Sequence, residues 1–137
     1  MAEGMFTLGV SDHVMIAHSF ADRFFGPAQK LHGATFVVRV AFFAEELDAN
    51  GIVVDIARAH AVLKDVLLPL NYQNLDVLPQ FKGSNTTTEY LTRHVFDQIA
   101  AAGRAGKLGR DGRALKSVRV AVAESPVARA WYEAPLW

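Results

Sequence analysis

The sequence predicts an α+β fold in which two helices cover one face of an antiparallel sheet. Val- and Phe-rich runs typical of strands lie towards the two ends of the chain, and two amphipathic helical patterns lie between them. The predicted order is two strands, two helices, two strands. Because no internal repeat or linker divides the 137 residues, one domain is expected over residues 1–137.

Residues 5–20 and 32–46 are predicted to form the first two strands. Both runs are rich in apolar, β-branched and aromatic residues, and a loop with a Gly-Pro pair separates them. The two-residue period of a strand places His18 on the face opposite His13. A second histidine, His32, stands at the start of the second strand.

Capping residues predict where the two helices begin. Asp55 is a suitable N-cap for a helix that runs to about Leu68, where a proline follows. Thr86 and Glu89 have the spacing of a capping box, with Thr86 at the N-cap. This second helix is expected to end at Gly103.

The remaining segments are predicted from their breakers and apolar runs. Residues 69–85 are expected to form an irregular but ordered loop, and the basic, glycine-rich residues 103–113 a flexible connection. That connection lacks the spacing of a phosphate-binding P-loop. Strands follow at 115–123 and 128–132. A sheet with so few Val- and Phe-rich strands leaves apolar edges uncovered, which predicts self-association.

Composition excludes several classes of function. A net charge of zero argues against a nucleic-acid partner, which would favour a basic excess. The absence of cysteine excludes disulfides, thiolate metal sites and a cysteine nucleophile. The N-terminus shows no signal-peptide pattern, and no apolar run is long enough for a membrane span. We therefore expect a cytoplasmic protein without a membrane partner.

Glu124 is the sharpest candidate for ligand binding. It lies in phase with three valines of the third long strand, at positions 118, 120 and 122, so the pleat is expected to point its carboxylate inwards. A buried carboxylate needs a partner, such as the paired N–H donors of an aminopyrimidinone ring. Alternatively, Glu124 reaches water at the strand end or pairs with Arg129. From the sequence alone, ligand binding and these alternatives are about equally well supported.

The threonines and histidines are weaker candidates. The capping box alone explains Thr86 and Glu89, although a helix N-terminus is also a natural place for a ligand that accepts hydrogen bonds. His18 and His32 could be two metal ligands, but a catalytic zinc needs three protein ligands.

Six segments, in order along the chain, resemble the 6-pyruvoyl-tetrahydropterin synthases and the related 6-carboxy-tetrahydropterin synthases. They are Ile16-Ala17-His18, Leu31-His32-Gly33-Ala34, Gly51–Asp55, Leu70–Leu75, Thr86–Glu89, and Glu124-Ser125-Pro126 with Tyr132. The resemblance implies the T-fold, in which three subunits close a barrel, two trimers form a homohexamer, and active sites lie between subunits. It also implies that Glu124, Thr87, Thr88 and Glu89 bind a pterin.

Three departures from the family's pattern affect the expected chemistry. Ala34 stands where the family has its third zinc-binding histidine, and Ala28 stands where it has a cysteine. Asn71-Tyr72 replaces an Asp-His pair, and neither an amide nor an ordinary phenol is a good general base near neutral pH. We therefore predict no zinc or other cofactor, with His18 and His32 as vestiges of the metal site.

Several functions follow from this resemblance. The first hypothesis is a pterin-binding homologue that keeps the ring pocket and does not catalyse the zinc-dependent synthase reaction. Alternatives are a zinc-independent enzyme acting on the C6 side chain, with Tyr72 and His32 as candidates for proton transfer, or a non-catalytic assembly protein with a vestigial pocket. Residual synthase activity with a non-standard metal site is a further alternative.

Overall fold

The computed structural model describes residues 4–137; the first three residues of the N-terminal segment, in which no signal-peptide pattern is expected, lie outside that range. The strands are β1 (Phe6–His18), β2 (His32–Ala44), β3 (Gln73–Asn74), β4 (Ser117–Ser125) and β5 (Ala128–Ala134), and the helices are α1 (Ile56–Leu67) and α2 (Thr88–Arg104). They form one sheet in the order β3-β1-β2-β4-β5. All neighbouring strands are antiparallel except β1 and β3. The predicted α+β class is confirmed.

The long β1–β2 pair is the backbone of the sheet. It runs in unbroken register from Phe6 opposite Ala44 to His18 opposite His32. Buried and exposed residues alternate along both strands, as the two-residue period predicts, and the buried ones face the helices. His18 and His32 therefore lie together at one end of the sheet.

The helices begin close to where their caps predict. Asp55 caps α1, because its Oδ1 accepts a hydrogen bond from the Arg58 amide at 3.0 Å. The N-cap of α2 is Thr87, whose Oγ1 accepts from the Tyr90 amide at 3.1 Å, so the prediction of Thr86 at this position is wrong by one residue. Three consecutive threonines are equally good caps in sequence, and a tertiary contact of Thr86, described below, selects the second.

Two connecting segments differ from their predicted character. The loop between the helices contributes the two-residue strand β3, which was not predicted. The glycine-rich segment is packed rather than free: Leu108 is fully buried, and the Arg110 guanidinium donates to the carbonyls of Val53 (3.0 Å) and Glu46 (2.9 Å). α2 also ends at Arg104, one residue later than predicted. Gly103 lies inside the helix and against Leu136, where a Cβ would not fit.

The sheet has one covered and one open face. α1 and α2 pack on the side that carries the buried residues of β1, β2 and β4, while the opposite side bears no helix. Within residues 4–137, no helix is long and apolar enough to cross a membrane.

Candidate functional site

Two histidines meet where β1 ends and β2 begins. His18 and His32 are directly opposite in register, and their ring centroids lie 4.6 Å apart in an edge-on arrangement. His18 is only 2% exposed, whereas His32 is half-buried. Phe20 packs on both rings, with centroid distances of 4.7 Å and 5.8 Å.

Each imidazole is held through its Nδ1 atom. His32 Nδ1 lies 2.8 Å from the Lys30 carbonyl oxygen, and because a carbonyl only accepts, this nitrogen carries a proton. In neutral His32, the Nε2 atom then carries a lone pair that can accept a proton or bind a cation. His18 Nδ1 lies 3.0 Å from Thr86 Oγ1, which is itself buried.

Burial lowers the pKa of His18, and the neighbouring His32 lowers it further. The Thr86 contact and the negative charges of Asp76 and Glu124 act in the opposite direction. The net effect favours a neutral imidazole at this end of the sheet.

The donor set does not fit a catalytic zinc held by three protein ligands. Ala34 lies two residues along β2 from His32, on the same face and opposite Ile16, and its methyl group has no lone pair to offer a metal. Within the described part of the chain, no three His, Cys, Asp or Glu side chains are grouped closely enough to share a metal ion.

Glu124 lies at a β-bulge and is exposed. Ala123 pairs with Arg129 and Ser125 with Ala128, so Glu124 is an extra residue on β4. In the single chain, the prediction of a buried carboxylate is therefore wrong, because the bulge interrupts the alternation that buries the three valines before it. The alternative ion pair with Arg129 does not form within 4 Å.

Glu124 lines an open cleft of about 680 Å³ between the start of α2 and the β4–β5 turn. Thr88 and Glu89, from the first turn of α2, lie on the same cleft. Thr87 caps this helix and is their direct neighbour in sequence. The structure thus brings three of the four predicted ring-binding residues to one cleft and places the fourth beside it.

Tyr72 lies away from the histidines. Its backbone N–H donates to the Met15 carbonyl at 2.7 Å, and Met15 faces the side of β1 opposite His18. The phenol is 76% exposed, and in residues 4–137 no hydrogen bond joins it to His32 or Glu124. Its φ of 60° is the one positive φ among the described non-glycine residues, a conformation that costs about 1 kcal/mol or more.

The sequence interpretation missed two polar residues that organise the histidine end. Thr86 was predicted as a helix cap, yet its hydroxyl contacts His18. Asp76 was not considered; its carboxylate accepts from the Ser19 amide (3.2 Å) and the Ser19 hydroxyl (2.5 Å), and its charge acts on His18. The sequence held one signal for a special role of Thr86: it stands where the Pro-Thr-Thr-Glu motif that residues 86–89 resemble has a proline.

Comparison with known proteins identifies relatives of this chain. The family model described as 6-pyruvoyl tetrahydropterin synthase matches residues 7–135. No curated protein sequence gives a significant match.

Solved structures of the same description share the fold. The Caenorhabditis elegans 6-pyruvoyl tetrahydropterin synthase superposes with a TM-score of 0.80 at 21% identity, covering 98% of this chain and 99% of that one. The Plasmodium vivax enzyme gives a TM-score of 0.78 at 16% identity, with 97% and 99% covered. The Plasmodium falciparum enzyme gives 0.78 at 16% identity, with 96% and 98% covered. At these identities, the structural matches establish the fold.

Proposed function

Because the chain belongs to the 6-pyruvoyl tetrahydropterin synthase family, we propose that it binds a pterin ring in the Glu124 cleft without catalysing the zinc-dependent synthase reaction. The observation that carries this proposal is the convergence of Glu124, Thr88 and Glu89 on one cleft. No sequence segment alone makes that arrangement. A second observation supports the proposal: among the described residues, no three possible metal ligands are grouped together.

The ring-binding part of the proposal rests on the chemistry of Glu124. A carboxylate accepts two parallel N–H bonds, which matches the adjacent amino and ring N–H donors of an aminopyrimidinone. Its exposure in the single chain leaves the oxygens available to a ligand. In a cleft from which the bound ring displaces water, such a charged pair becomes stronger than it is in bulk solvent.

The first turn of α2 supplies further polar groups. The first amides of a helix have no partner within the helix and carry partial positive charge, so they favour an acceptor on the ligand. Thr88 and Glu89 stand at these positions and line the cleft. We assign Thr87 a role in holding this turn, since its side chain accepts from the Tyr90 amide.

The missing zinc reaction follows in this proposal from Ala34. The chain offers two imidazoles where a catalytic zinc takes three protein ligands, and a methyl group has no lone pair to replace the third. We therefore propose that the protein works without a zinc cofactor.

The second candidate is a zinc-independent enzyme acting on the C6 side chain of a reduced pterin. Two observations favour it. The Nε2 lone pair of His32 is available for proton transfer, and Tyr72 is held in a strained backbone conformation of the kind found at functional sites. Since Tyr72 is largely exposed and makes no hydrogen bond to the histidines of its own chain, it would have to serve the site of another subunit.

Self-association belongs to the same proposal. The β5 edge and the β4–β5 turn expose apolar groups, with Val127 94% and Trp131 54% exposed. A second copy that pairs with this edge would cover them and deepen the adjacent cleft. We propose a homohexamer, built as a dimer of trimers, in the cytoplasm.

A fluorescence titration with a reduced or oxidised pterin tests the ring-binding proposal. Wild type should show saturable binding with one site per subunit. Glu124→Ala should weaken binding by about tenfold to a hundredfold or more, the loss expected for a charged hydrogen-bonding partner. Glu46→Ala removes an exposed carboxylate far from the cleft and should bind like wild type.

A melting curve of each variant completes that experiment. Because Glu124 is exposed and unpaired, Glu124→Ala should keep the wild-type melting temperature within a few degrees. Absence of saturable binding by wild type, or equal binding by both variants, contradicts the proposal and favours an assembly protein with a vestigial pocket.

A further inference from the structure

The helix-free face of the sheet carries a second concave site, unrelated to the Glu124 cleft in its chemistry. It is a depression of about 410 Å³. Its lining combines short residues, which are Gly9, Ser11, Ala41 and Ala121, with long ones, which are Arg39, Arg119, Arg129 and Trp131. This set is called the arginine depression below.

Strand register brings these residues together. Arg39 on β2 is opposite Ala121 on β4, and Ala121 is opposite Trp131 on β5. Arg119 and Arg129 lie two residues from Ala121 and Trp131, so the pleat turns them to the same face. Neighbouring strands are about 4.8 Å apart, and short side chains between the long ones leave a hollow ringed by guanidinium groups.

Among the described residues, no carboxylate forms an ion pair with these guanidinium groups. In the part of the chain that the structure describes, none of the three lies within 4 Å of an acidic side chain. Arg119 packs over the Trp131 ring at 5.4 Å, and Arg129 donates to the Pro126 carbonyl at 3.5 Å. Glu133, the register partner of Arg119, instead accepts from Ser117 Oγ at 3.4 Å.

This concentration of charge is local. The chain as a whole has 14 basic and 14 acidic residues, so a basic patch of this kind does not follow from its composition. Like charges held together on one face repel each other and lower stability unless an anion compensates them.

We propose that the arginine depression binds a small multivalent anion carrying phosphate groups. The planar guanidinium fork matches phosphate oxygens in pairs, which a lysine would not do. Because each exposed ion pair contributes little alone, a ligand with several charges is required to engage several arginines at once. The volume is in the range of small-molecule sites.

This site is separate from the proposed pterin site. Glu124, which would repel an anion, lies on the other cleft, and the two linings share Arg129 and Trp131. Arg39 and Arg119 line the arginine depression and not the Glu124 cleft.

Calorimetric titration with inorganic tripolyphosphate, at low and at physiological salt and without divalent cations, tests the proposal. Wild type should bind saturably, and more weakly at higher salt. The double variant Arg39→Gln with Arg119→Gln should bind at least about tenfold more weakly, since each lost charged partner has an effect of that order. The control Arg23→Gln with Lys82→Gln removes the same charge from exposed positions elsewhere and should bind within about threefold of wild type.

Thermal melting separates a binding role from a structural one. Tripolyphosphate should raise the melting temperature of wild type and of the control but not of the arginine variant. Without anion, the arginine variant should melt at or above the wild-type temperature, because repulsion is relieved. Absence of binding, an equal loss in both double variants, a large fall in melting temperature of the anion-free arginine variant, or binding of a single-stranded oligonucleotide in place of tripolyphosphate would overturn the proposal.

Discussion

The two parts of the candidate site are built in opposite ways. At the histidine end, His18 is buried and its Nδ1 contacts the buried Thr86 hydroxyl. At the cleft end, Glu124 stands exposed on a bulge. Within one chain, His18 is packed into the core, and the carboxylate of Glu124 is left open.

This difference separates stability from binding. A polar group enclosed by the core must keep its hydrogen bond, because leaving it unsatisfied costs about 1–3 kcal/mol. An exposed carboxylate can be changed with little effect on folding and is free to serve a ligand. Changes at the histidine end should therefore alter the fold or its metal affinity, and changes at the cleft should alter ligand affinity.

The largest expected effect comes from adding a third histidine beside His18 and His32. Ala34→His places an imidazole two residues along β2 from His32, on the same face of the strand. His32 is itself directly opposite His18. Three histidines supply the protein ligands of a catalytic zinc, so this variant should bind zinc about a hundredfold or more tightly than wild type. Metal analysis of the purified proteins after dialysis against zinc gives the measurement. Stoichiometric zinc in wild type would refute the proposed loss of the metal.

Removing the Thr86 hydroxyl should have a smaller effect, on stability. Thr86→Val keeps the volume of the side chain but leaves His18 Nδ1 without its partner, which should lower the free energy of unfolding by about 1–3 kcal/mol. Thr35→Val, on the exposed face of β2, is the control and should stay within about 0.5 kcal/mol of wild type. Urea unfolding measures both. An unchanged midpoint in the Thr86 variant would show that this contact does not matter to the fold.

The smallest effect should appear as a dependence of stability on pH. Burial lowers the folded-state pKa of His18 and of His94, which packs against Phe81. The stability that the two neutral histidines contribute is fully present above about pH 6.5, the pKa of histidine in the unfolded chain. It is lost as the pH falls from there towards the folded-state pKa, because in that range only the unfolded chain takes up the proton. Urea midpoints between about pH 7 and pH 5, where most carboxylates stay ionised, should therefore decrease.

Substitution of His94, the half-buried histidine in α2, provides the comparison for that series. His94→Gln should show a shallower decrease than wild type, and His60→Gln, at an exposed position of α1, should show the wild-type slope. A wild-type midpoint that rises towards pH 5 would contradict the assignment.

The sequence predicted the elements of the fold better than their ends. The caps and breakers placed both helices, and two-residue alternation identified the buried faces of the first strands. Three equivalent threonines could not reveal which one caps α2, and two residues of β3 are too short to leave a pattern. Both depend on contacts with β1, which lies more than fifty residues earlier in the chain.

By itself, the sequence determined which chemical groups this protein has. They are the histidines at two strand ends, with Ala34 two residues after the second of them, and the carboxylate of Glu124 before the last turn; cysteine is absent. Tertiary structure decided how each is used. The bulge at Glu124 arises where β4 pairs with β5, and Thr86 is buried beside His18 because the start of α2 packs at the end of β1. The arginines gather over small residues because β2, β4 and β5 are neighbours in the sheet, and a strand's neighbours set what lies beside each side chain.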